Sequence, residues 1–328
     1  MPRDEMDDLS VSGRTGAWRP PDARRALQLC LAAIWLLDAI LQFQPTFFTK
    51  AFATGMIAPT ASGNPSTVAH SITWAAGIIG HHPAAANTPF ALVQLCLALG
   101  IAWRRTVKPA LAASVLWSLG VWWFGEGLGG VLNGVASPLN GAPGAVLIYA
   151  LLAVLLWPVD ASNDSSRFVA AGLIGERAAG VVWVVVWGAL AFFAVNGANR
   201  SPDGLHNLVG AMTAGEPGWL VAIDTHTANF LQNRGLAASI AIAGLLVLVA
   251  LRAVAPDSLA KGSIVLGVVA AAGIWVVGED FGTILAGGAT DPNSGPLLIV
   301  LALAYWPRRA VATAPSRVAA SLMQPALG

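Results

Sequence analysis

Long apolar runs, such as VVWVVVWGALAFFAV at residues 181–195, recur along the whole chain. A helix needs roughly 20 apolar residues to cross the hydrocarbon core of a bilayer, and eight segments come close to that length. Only 11% of the residues are charged, against about 25% in soluble domains, so a water-soluble surface cannot cover these segments. We therefore predict an all-α, polytopic membrane protein with about eight transmembrane helices. The predicted spans are residues 26–43, 88–103, 109–132, 144–158, 178–196, 235–251, 262–284 and 295–307.

The distribution of basic residues predicts the orientation of these spans. With the amino terminus in the cytoplasm, the outer side holds only Lys50, Arg200 and Arg234 of the 18 lysines and arginines. Cytoplasmic loops of membrane proteins carry the excess of such residues. We expect a multi-pass protein of the plasma (inner) membrane with both termini in the cytoplasm and the lipid bilayer as a partner. A net charge of +1 provides no basic surface, so nucleic acid is not expected as a partner.

The segments that flank the predicted spans are polar. Residues 1–25 mix both charges with glycine and proline, which predicts a disordered cytoplasmic tail. Residues 159–177 are expected to be a cytoplasmic linker and residues 308–328 a second cytoplasmic tail. The first apolar run lacks a convincing small-residue cleavage site, so we interpret it as a retained membrane anchor and not as a removed signal peptide.

The chain contains a diverged internal repeat. When it is aligned with itself at an offset of 153 residues, ten positions in a gap-free stretch of 24 are identical. We predict a first four-helix membrane repeat at residues 26–158 and a second at residues 178–307. The matched pairs are Gly120/Gly273, Trp122/Trp275, Gly125/Gly278, Glu126/Glu279, Gly129/Gly282, Leu132/Leu285, Gly134/Gly287, Ala136/Ala289, Asn140/Asn293 and Pro143/Pro296.

The two predicted repeats have the same plan. Each has a helix, a long outer loop and three further helices, and each closes on Trp-Pro, at Trp157-Pro158 and Trp306-Pro307. Four spans per repeat is an even number, so both copies share one orientation and are related by an axis along the membrane normal. The stretch VAHSITWAAGIIGHH in the first outer loop predicts an interfacial or re-entrant helix.

Two segments of the first half carry a family resemblance. AIWLLDAILQFQPTFFTKAF resembles the first helix and following interfacial segment of the DoxX-like family of small four-helix membrane proteins, and FALVQLCLALGIAWRR resembles its second helix. The resemblance covers residues 26–158, with a degraded second copy in 178–307. It implies a four-helix bundle per half and, for some members, an association with quinone-linked sulfur or electron-transfer chemistry. The Gly-Glu motif is not a hallmark of that family, and the resemblance assigns no catalytic residue.

Four acidic residues fall within predicted spans: Asp38, Glu126, Glu279 and Asp280. A carboxylate at membrane depth costs about 2.5–3.5 kcal/mol on insertion scales, and such residues are functional by default. We interpret the four as candidate proton- or cation-binding groups. For Asp38, which is matched by Ala191 in the second half, a structural hydrogen bond is the better interpretation.

The spacing around the two glutamates favours close packing. Gly125 with Gly129, and Gly278 with Gly282, have the small-xxx-small spacing that lets a neighbouring helix approach. We expect Glu126 and Glu279 to meet near the pseudo-twofold axis and to share one proton, because like charges at close range cannot both ionise. The alternative is that each glutamate only pins the bundle. Four residues earlier, Trp122 and Trp275 are expected to form an aromatic wall on the face of each glutamate.

The outer loops hold a candidate set of metal ligands. His81, His82, Asp224 and His226 precede the second helix of their respective repeats at similar distances. Imidazole and carboxylate together suit zinc, copper or iron. Their spacing is not diagnostic, so histidines on an ordinary surface loop are the alternative interpretation.

The sequence leaves three functions open. The first is proton or cation handling by the duplicated Gly-Glu motif near the outer face, in support of a transport or redox process. The second is a redox subunit that binds a quinone or a metal ion as cofactor, and the third is a non-catalytic scaffold subunit of a membrane complex or homo-oligomer. Nucleotide-binding, haem-attachment and hydrolase motifs do not occur. The sequence does not decide whether the protein is an enzyme.

Overall fold

The computed structural model describes residues 22–159, 166–251 and 257–308, without the side chains of residues 257 and 258. These residues form helices joined by turns and loops, and they contain no strand. Residues 1–21 and 309–328 of the predicted tails and residues 160–165 of the predicted linker lie outside the described residues.

The longer helices are joined by short helical turns and loops. Those used below are α1 (Ala23–Gln42), α2 (Ser66–His81), α3 (Pro83–Ala102), α4 (Val107–Phe124), α5 (Ala145–Leu155), α6 (Ala171–Ala194), α7 (Gly204–Ala211), α8 (Gly218–Leu231), α9 (Gly235–Ala250), α10 (Asp257–Gly273) and α11 (Ser294–Ala304). The stretch expected to form an interfacial or re-entrant helix is helical, as α2.

Five helices of the described chain are long and apolar enough to cross a membrane. They are α1, α3, α4, α6 and Leu259–Gly278, the last formed by α10 and a π-helical turn. Counting α8 and α9, which are bent by 108° at their junction, as one crossing gives a sixth. The segments predicted at 144–158 and 295–307 are helical, but α5 and α11 have only 11 residues each. Neither can cross a bilayer alone, so eight full crossings remain a prediction.

The outward surfaces of the long helices are apolar. Leu36 and Ile40 on α1, Leu116 on α4, and Val185 and Phe192 on α6 are all exposed. Large exposed apolar side chains in such number are unfavourable in water and favourable in hydrocarbon. The described residues therefore have the surface of a helical membrane protein.

The two short helices α5 and α11 form the centre of the structure. They pack on each other, α5 also contacts α4 and α6, and α11 also contacts α10 and α1. On the outside, α1 pairs with α3, and α6 pairs with α9. Fully buried aromatic side chains fill the interface, among them Trp35, Tyr149, Trp183 and Tyr305. Helix α2 packs over α3 and α4, while α7 packs on α8 and α9.

Arg24 anchors the end of α5. It lies in the first turn of α1, is only 4% exposed, and donates to the carbonyl oxygens of Leu155 (3.3 Å), Trp157 (2.9 Å) and Val169 (3.0 Å). A cation is stabilising at a helix carboxyl terminus. Helix α1 begins at Ala23, two residues before the predicted end of the tail at residue 25.

Replacing Arg24 with Met should lower the stability of the folded protein by about 2 kcal/mol, because buried carbonyl groups lose charge-assisted hydrogen bonds. Thermal unfolding of the purified protein in detergent measures this. Lys108→Met is the matched control, since Lys108 is exposed. Equal melting temperatures for the two variants would contradict the anchoring role.

Candidate functional site

The Gly-Glu motifs lie beyond the ends of their helices. Helix α4 ends at Phe124, and the π-helical turn after α10 ends at Gly278. No helix therefore runs from Gly125 to Gly129 or from Gly278 to Gly282. The prediction of a small-residue seam on one helix face is wrong for both pairs.

Each motif instead forms a left-handed turn. Residues 127–130 and 280–283 all have φ between 45° and 74°, a conformation that costs ordinary residues roughly 1–2 kcal/mol each. The third position is glycine in both turns, Gly129 and Gly282. A β-carbon on Gly129 would lie 2.0 Å from the carbonyl oxygen of Pro143, so the chain can pass this closely only without a side chain.

In the first half, the motif's tryptophan and glutamate hold the start of the next helix. Trp122 Nε1 donates to the carbonyl oxygen of Pro143 at 2.7 Å, and Glu126 Oε1 accepts from the N–H of Val146, in the first turn of α5, at 3.3 Å. The first N–H groups of a helix have no partner within the helix and favour a negative charge. This geometry explains why an apolar chain keeps a carboxylate here.

The second half repeats the arrangement with more hydrogen bonds. Trp275 Nε1 donates to the carbonyl oxygen of Pro292 at 2.9 Å. Glu279 accepts from the backbone N–H groups of Ser294 (3.3 Å) and Gly295 (2.9 Å), and also from the Ser294 hydroxyl. Both oxygens of Glu279 are therefore engaged at the start of α11.

These contacts correct the register of the sequence alignment. Pro143 and Pro292, which accept the tryptophan hydrogen bonds, lie 149 residues apart, as do Trp157 and Trp306. In the structure Pro143 therefore corresponds to Pro292, and its alignment with Pro296 is wrong. The alignment of Asn140 with Asn293 is wrong for the same reason.

Each motif loop reaches the other half of the molecule. Gln44, which follows α1, donates to the carbonyl oxygen of Ala289 at 3.1 Å. Asn196, which follows α6, donates to the carbonyl oxygen of Ala136. Ala136 and Ala289 are a pair in the sequence alignment, so the two halves are tied together by matching bonds.

Glu126 and Glu279 do not bond to each other. Each binds the first turn of the helix that follows it, and the acidic residue whose charge acts on both is Asp291. The prediction that the two glutamates form a proton-sharing pair is therefore wrong. They also differ, because Glu126 Oε2 is buried without a hydrogen-bond partner.

Glu126 lines a cavity of about 840 Å³ enclosed by α1, α2, α3, α4 and the loop before α11. Asp38 and Asp291 lie on the same wall. In the described residues this wall contains three carboxyl groups and no lysine, arginine or histidine. We call this space the acidic cavity.

Asp38 and Gln94 add further unpartnered oxygen atoms to the acidic cavity. Asp38 is 1% exposed, and its Oδ2 accepts from the hydroxyl of Tyr149 at 2.6 Å. Its Oδ1 has no partner, and the same holds for Oε1 of Gln94, which is 9% exposed. The tyrosine hydrogen bond fits the structural interpretation of Asp38, while the second oxygen is left for another partner.

The two acidic residues of the cavity that lie outside the spanning helices have raised pKa values. Burial, together with the charge of Asp291, raises the pKa of Glu126 from 4.5 to about 8 against the opposing hydrogen bond from Val146. Burial also raises the pKa of Asp291, while hydrogen bonds from Asn293 and Thr290 lower it. Both groups hold a proton more readily than a carboxyl group in water.

Two positions of the second half that match polar residues near the acidic cavity are apolar. Ala191 occupies the position matched to Asp38, and Leu298 occupies the position matched to Tyr149 at the offset of 149 residues. Nearby, Ala136, Ala142 and Phe193 form a small buried apolar cluster. Two of the three acidic residues of the acidic cavity, Asp38 and Glu126, therefore come from the first half, and Asp291 comes from the second.

A second acidic group lies in the second half. Asp224 on α8 and Asp280 are fully buried, and Glu216 is 9% exposed. Burial first, and then the charges of Asp224 and Glu216, raise the pKa of Asp280. Asp224 and Asp280 are placed to share a hydrogen bond when one of them is protonated.

The predicted metal ligands are not brought together. His81, His82 and His226 are exposed, whereas Asp224 is buried beside Asp280. Among the described residues, no group of three or more histidine, cysteine, aspartate or glutamate side chains is arranged to hold a metal ion. The predicted metal site is not formed by this part of the chain.

Sequence reasoning missed Asp291, Gln94 and Glu216. Helical spacing gives a usable signal for Gln94, because Asn87 and Gln94 lie seven residues apart on one face of the apolar helix α3. Asp291 lies in a loop that reaches its partners only through the packing of the two halves, so no local pattern identifies it.

Comparison with known proteins adds no assignment. The chain matches no protein-family model, no curated protein and no solved structure.

Gly129→Ala should lower the stability of the protein by about 2 kcal/mol or more, because the β-carbon clashes with Pro143 and the left-handed φ is strained. Gly120→Ala is the matched control, since a β-carbon there meets nothing within 4 Å and alanine is the better helix former. Thermal unfolding in detergent measures both variants. A Gly129→Ala protein as stable as Gly120→Ala would refute the close approach.

Stability should fall as the pH rises, because a carboxyl group with a raised pKa prefers its proton in the folded state. The contribution of Glu126 is complete below pH 4.5 and is lost as the pH rises towards about 8. We expect the melting temperature of Glu126→Gln to decline less over this range than that of the wild type. Parallel declines would show that Glu126 is not held protonated.

Proposed function

We propose that the protein binds a proton or a cation in the acidic cavity and so supports a transport or redox process in the membrane. One observation carries this proposal. Asp38, Glu126 and Asp291 line one cavity whose described wall has no basic residue.

The cost of burying charge supports this proposal. A carboxylate removed from water must be protonated or paired with a cation. In the cavity, the charges that act on Asp38 and Glu126 come from another acidic residue, Asp291. Arg24, the buried arginine of α1, is engaged with backbone carbonyl groups at the end of α5. The cavity therefore favours a bound positive charge.

The proposal assigns different roles to the two glutamates. Glu279 is engaged through both oxygens at the start of α11, so we assign it a structural role. Glu126 uses one oxygen at the start of α5 and keeps the other free beside the cavity. The residues that we propose to bind the proton or cation are therefore Asp38, Glu126 and Asp291, and not the pair Glu126 and Glu279.

We further propose two parallel four-helix repeats in the plasma membrane with both termini in the cytoplasm. The pairing of α1 with α3 parallels that of α6 with α9, and the contacts of α5 parallel those of α11. The matching Trp-Pro hydrogen bonds support the same plan. A four-helix unit is also what the DoxX-like resemblance implies.

The alternatives have less support. A quinone carries no positive charge, so it does not neutralise the carboxyl groups of the acidic cavity. A metal-binding redox subunit lacks a ligand group in the described residues. No contact among the described residues favours a scaffold role.

Infrared spectroscopy tests the proposal directly. Titration from pH about 5 to about 9 should change the carboxylic acid C=O signals, because burial raises the pKa values of Glu126 and Asp291 above the ordinary range. Asp38→Asn, Glu126→Gln and Asp291→Asn should each remove or shift part of these signals, since the three groups act on one another. Spectra unchanged in all three variants would overturn the proposal.

Glu279→Gln is the matched control for this experiment. Glutamine keeps an oxygen acceptor for the start of α11, and position 279 is not part of the cavity wall. We expect this variant to lose only the signal of Glu279. A general loss of the cavity signals would contradict the structural role of Glu279.

A further inference from the structure

We propose that the acidic cavity binds an organic cation with an N–H donor, that is, a protonated amine on an apolar body. This inference rests on the proposed function and names the chemical class of the cation.

The size of the acidic cavity points to an organic molecule. Its volume is about 840 Å³, and pockets for drug-sized ligands measure about 300–1,000 Å³. A proton or a single metal ion needs far less space. The occupant therefore has a body as well as a charge.

The polar atoms of the wall define the charged end of the ligand. The residues Asp38, Glu126 and Gln94 line the same cavity, and each has one buried oxygen atom without a hydrogen-bond partner: Oδ1 of Asp38, Oε2 of Glu126 and Oε1 of Gln94. Buried acceptors without partners are costly and rare. A protonated primary, secondary or tertiary amine supplies both the charge and the N–H groups, whereas a quaternary ammonium ion supplies only the charge.

The remainder of the wall suits an apolar and aromatic body. Trp35, Trp74, Phe90, Trp117 and Phe124 line the cavity, and the rings of Phe90 and Trp117 lie 5.6 Å apart, edge to face. Aromatic faces also attract organic cations. Trp117 Nε1 has no partner, so it can donate to a hydroxyl or ether oxygen on the ligand.

The wall of the cavity includes residues exposed on the outer surface of the protein. Trp74 is 65% exposed, Ile78 48% and Leu116 74%. Because these side chains are apolar, a ligand that partitions into the bilayer meets a compatible surface there. A phospholipid head group is disfavoured, because its phosphate would approach three carboxyl groups.

Isothermal titration calorimetry on the full chain in nanodiscs tests the inference. The probe is desipramine, a tricyclic secondary amine, compared with its N-acetyl derivative, which is uncharged, and its quaternary derivative with two further N-methyl groups, which lacks the N–H. Desipramine should bind with a Kd at least about tenfold lower than either derivative, since a charge-assisted hydrogen bond is worth that much. Equal affinity for the quaternary or the acetylated form would overturn the inference.

Variants locate the binding in the cavity. Asp38→Asn and Glu126→Gln should each weaken desipramine binding at least about tenfold, whereas Glu279→Gln should leave it unchanged. Gln94→Leu should also weaken binding. We expect this variant to keep the fold, because the substitution removes a buried acceptor that has no partner. Unchanged affinity in Asp38→Asn and Gln94→Leu would place the ligand elsewhere.

The outcome also separates the two proposals. If the infrared signals of the cavity acids titrate as expected but desipramine does not bind, the amine inference fails and the proton site stands. If those signals do not depend on Asp38, Glu126 or Asp291, the proposed function fails, whatever the amine does.

Discussion

The first turns of two short central helices impose the main constraint on this structure. Helices α5 and α11 begin in the interior, where water cannot satisfy their free N–H groups. Glu126 and Glu279 accept these hydrogen bonds, and Trp122 and Trp275 bind the carbonyl oxygen of the nearby proline. The recurrence of Trp and Gly-Glu in the sequence follows from this shared requirement.

The same constraint creates the difference between the halves. In the second half, Ser294 supplies a hydroxyl and a backbone N–H, so Glu279 is fully engaged. In the first half, Ala145 occupies the equivalent first position of α5 and has no hydroxyl group. Glu126 is left with a free oxygen beside Asp38 and Asp291. Both glutamates therefore accept hydrogen bonds at the start of a helix, but only Glu126, in the first half, is also a candidate binding residue.

Apolar runs in the sequence were enough to predict the helical architecture. They could not show where α4 stops, because the left-handed turn at residues 127–130 contains apolar and small residues that also suit a transmembrane helix. Leu128 and Phe281 adopt φ of 60° and 55°, which local preference does not predict. Tertiary contacts with the loop before the next helix decide the conformation there.

The candidate site was predictable in part. Glu126 and Asp38 stand out as acids in apolar runs, and the polar positions of α1 and α3 at helical spacing indicate a common inner face. Asp291 contributes to the cavity from the other half, and the ungapped alignment hides the four-residue shift that precedes α11. No pattern within one segment reveals an acidic residue that packing brings in from a distant one.

Labelling with dicyclohexylcarbodiimide, which reacts with protonated carboxyl groups in apolar surroundings, tests the central claim most directly. Peptide mass spectrometry after labelling at neutral pH should find the adduct on Asp38 or Glu126, and not on Glu279, whose oxygens are bonded at the start of α11. Equal labelling of Glu126 and Glu279, or labelling of neither Asp38 nor Glu126, would contradict a protonatable site in the acidic cavity.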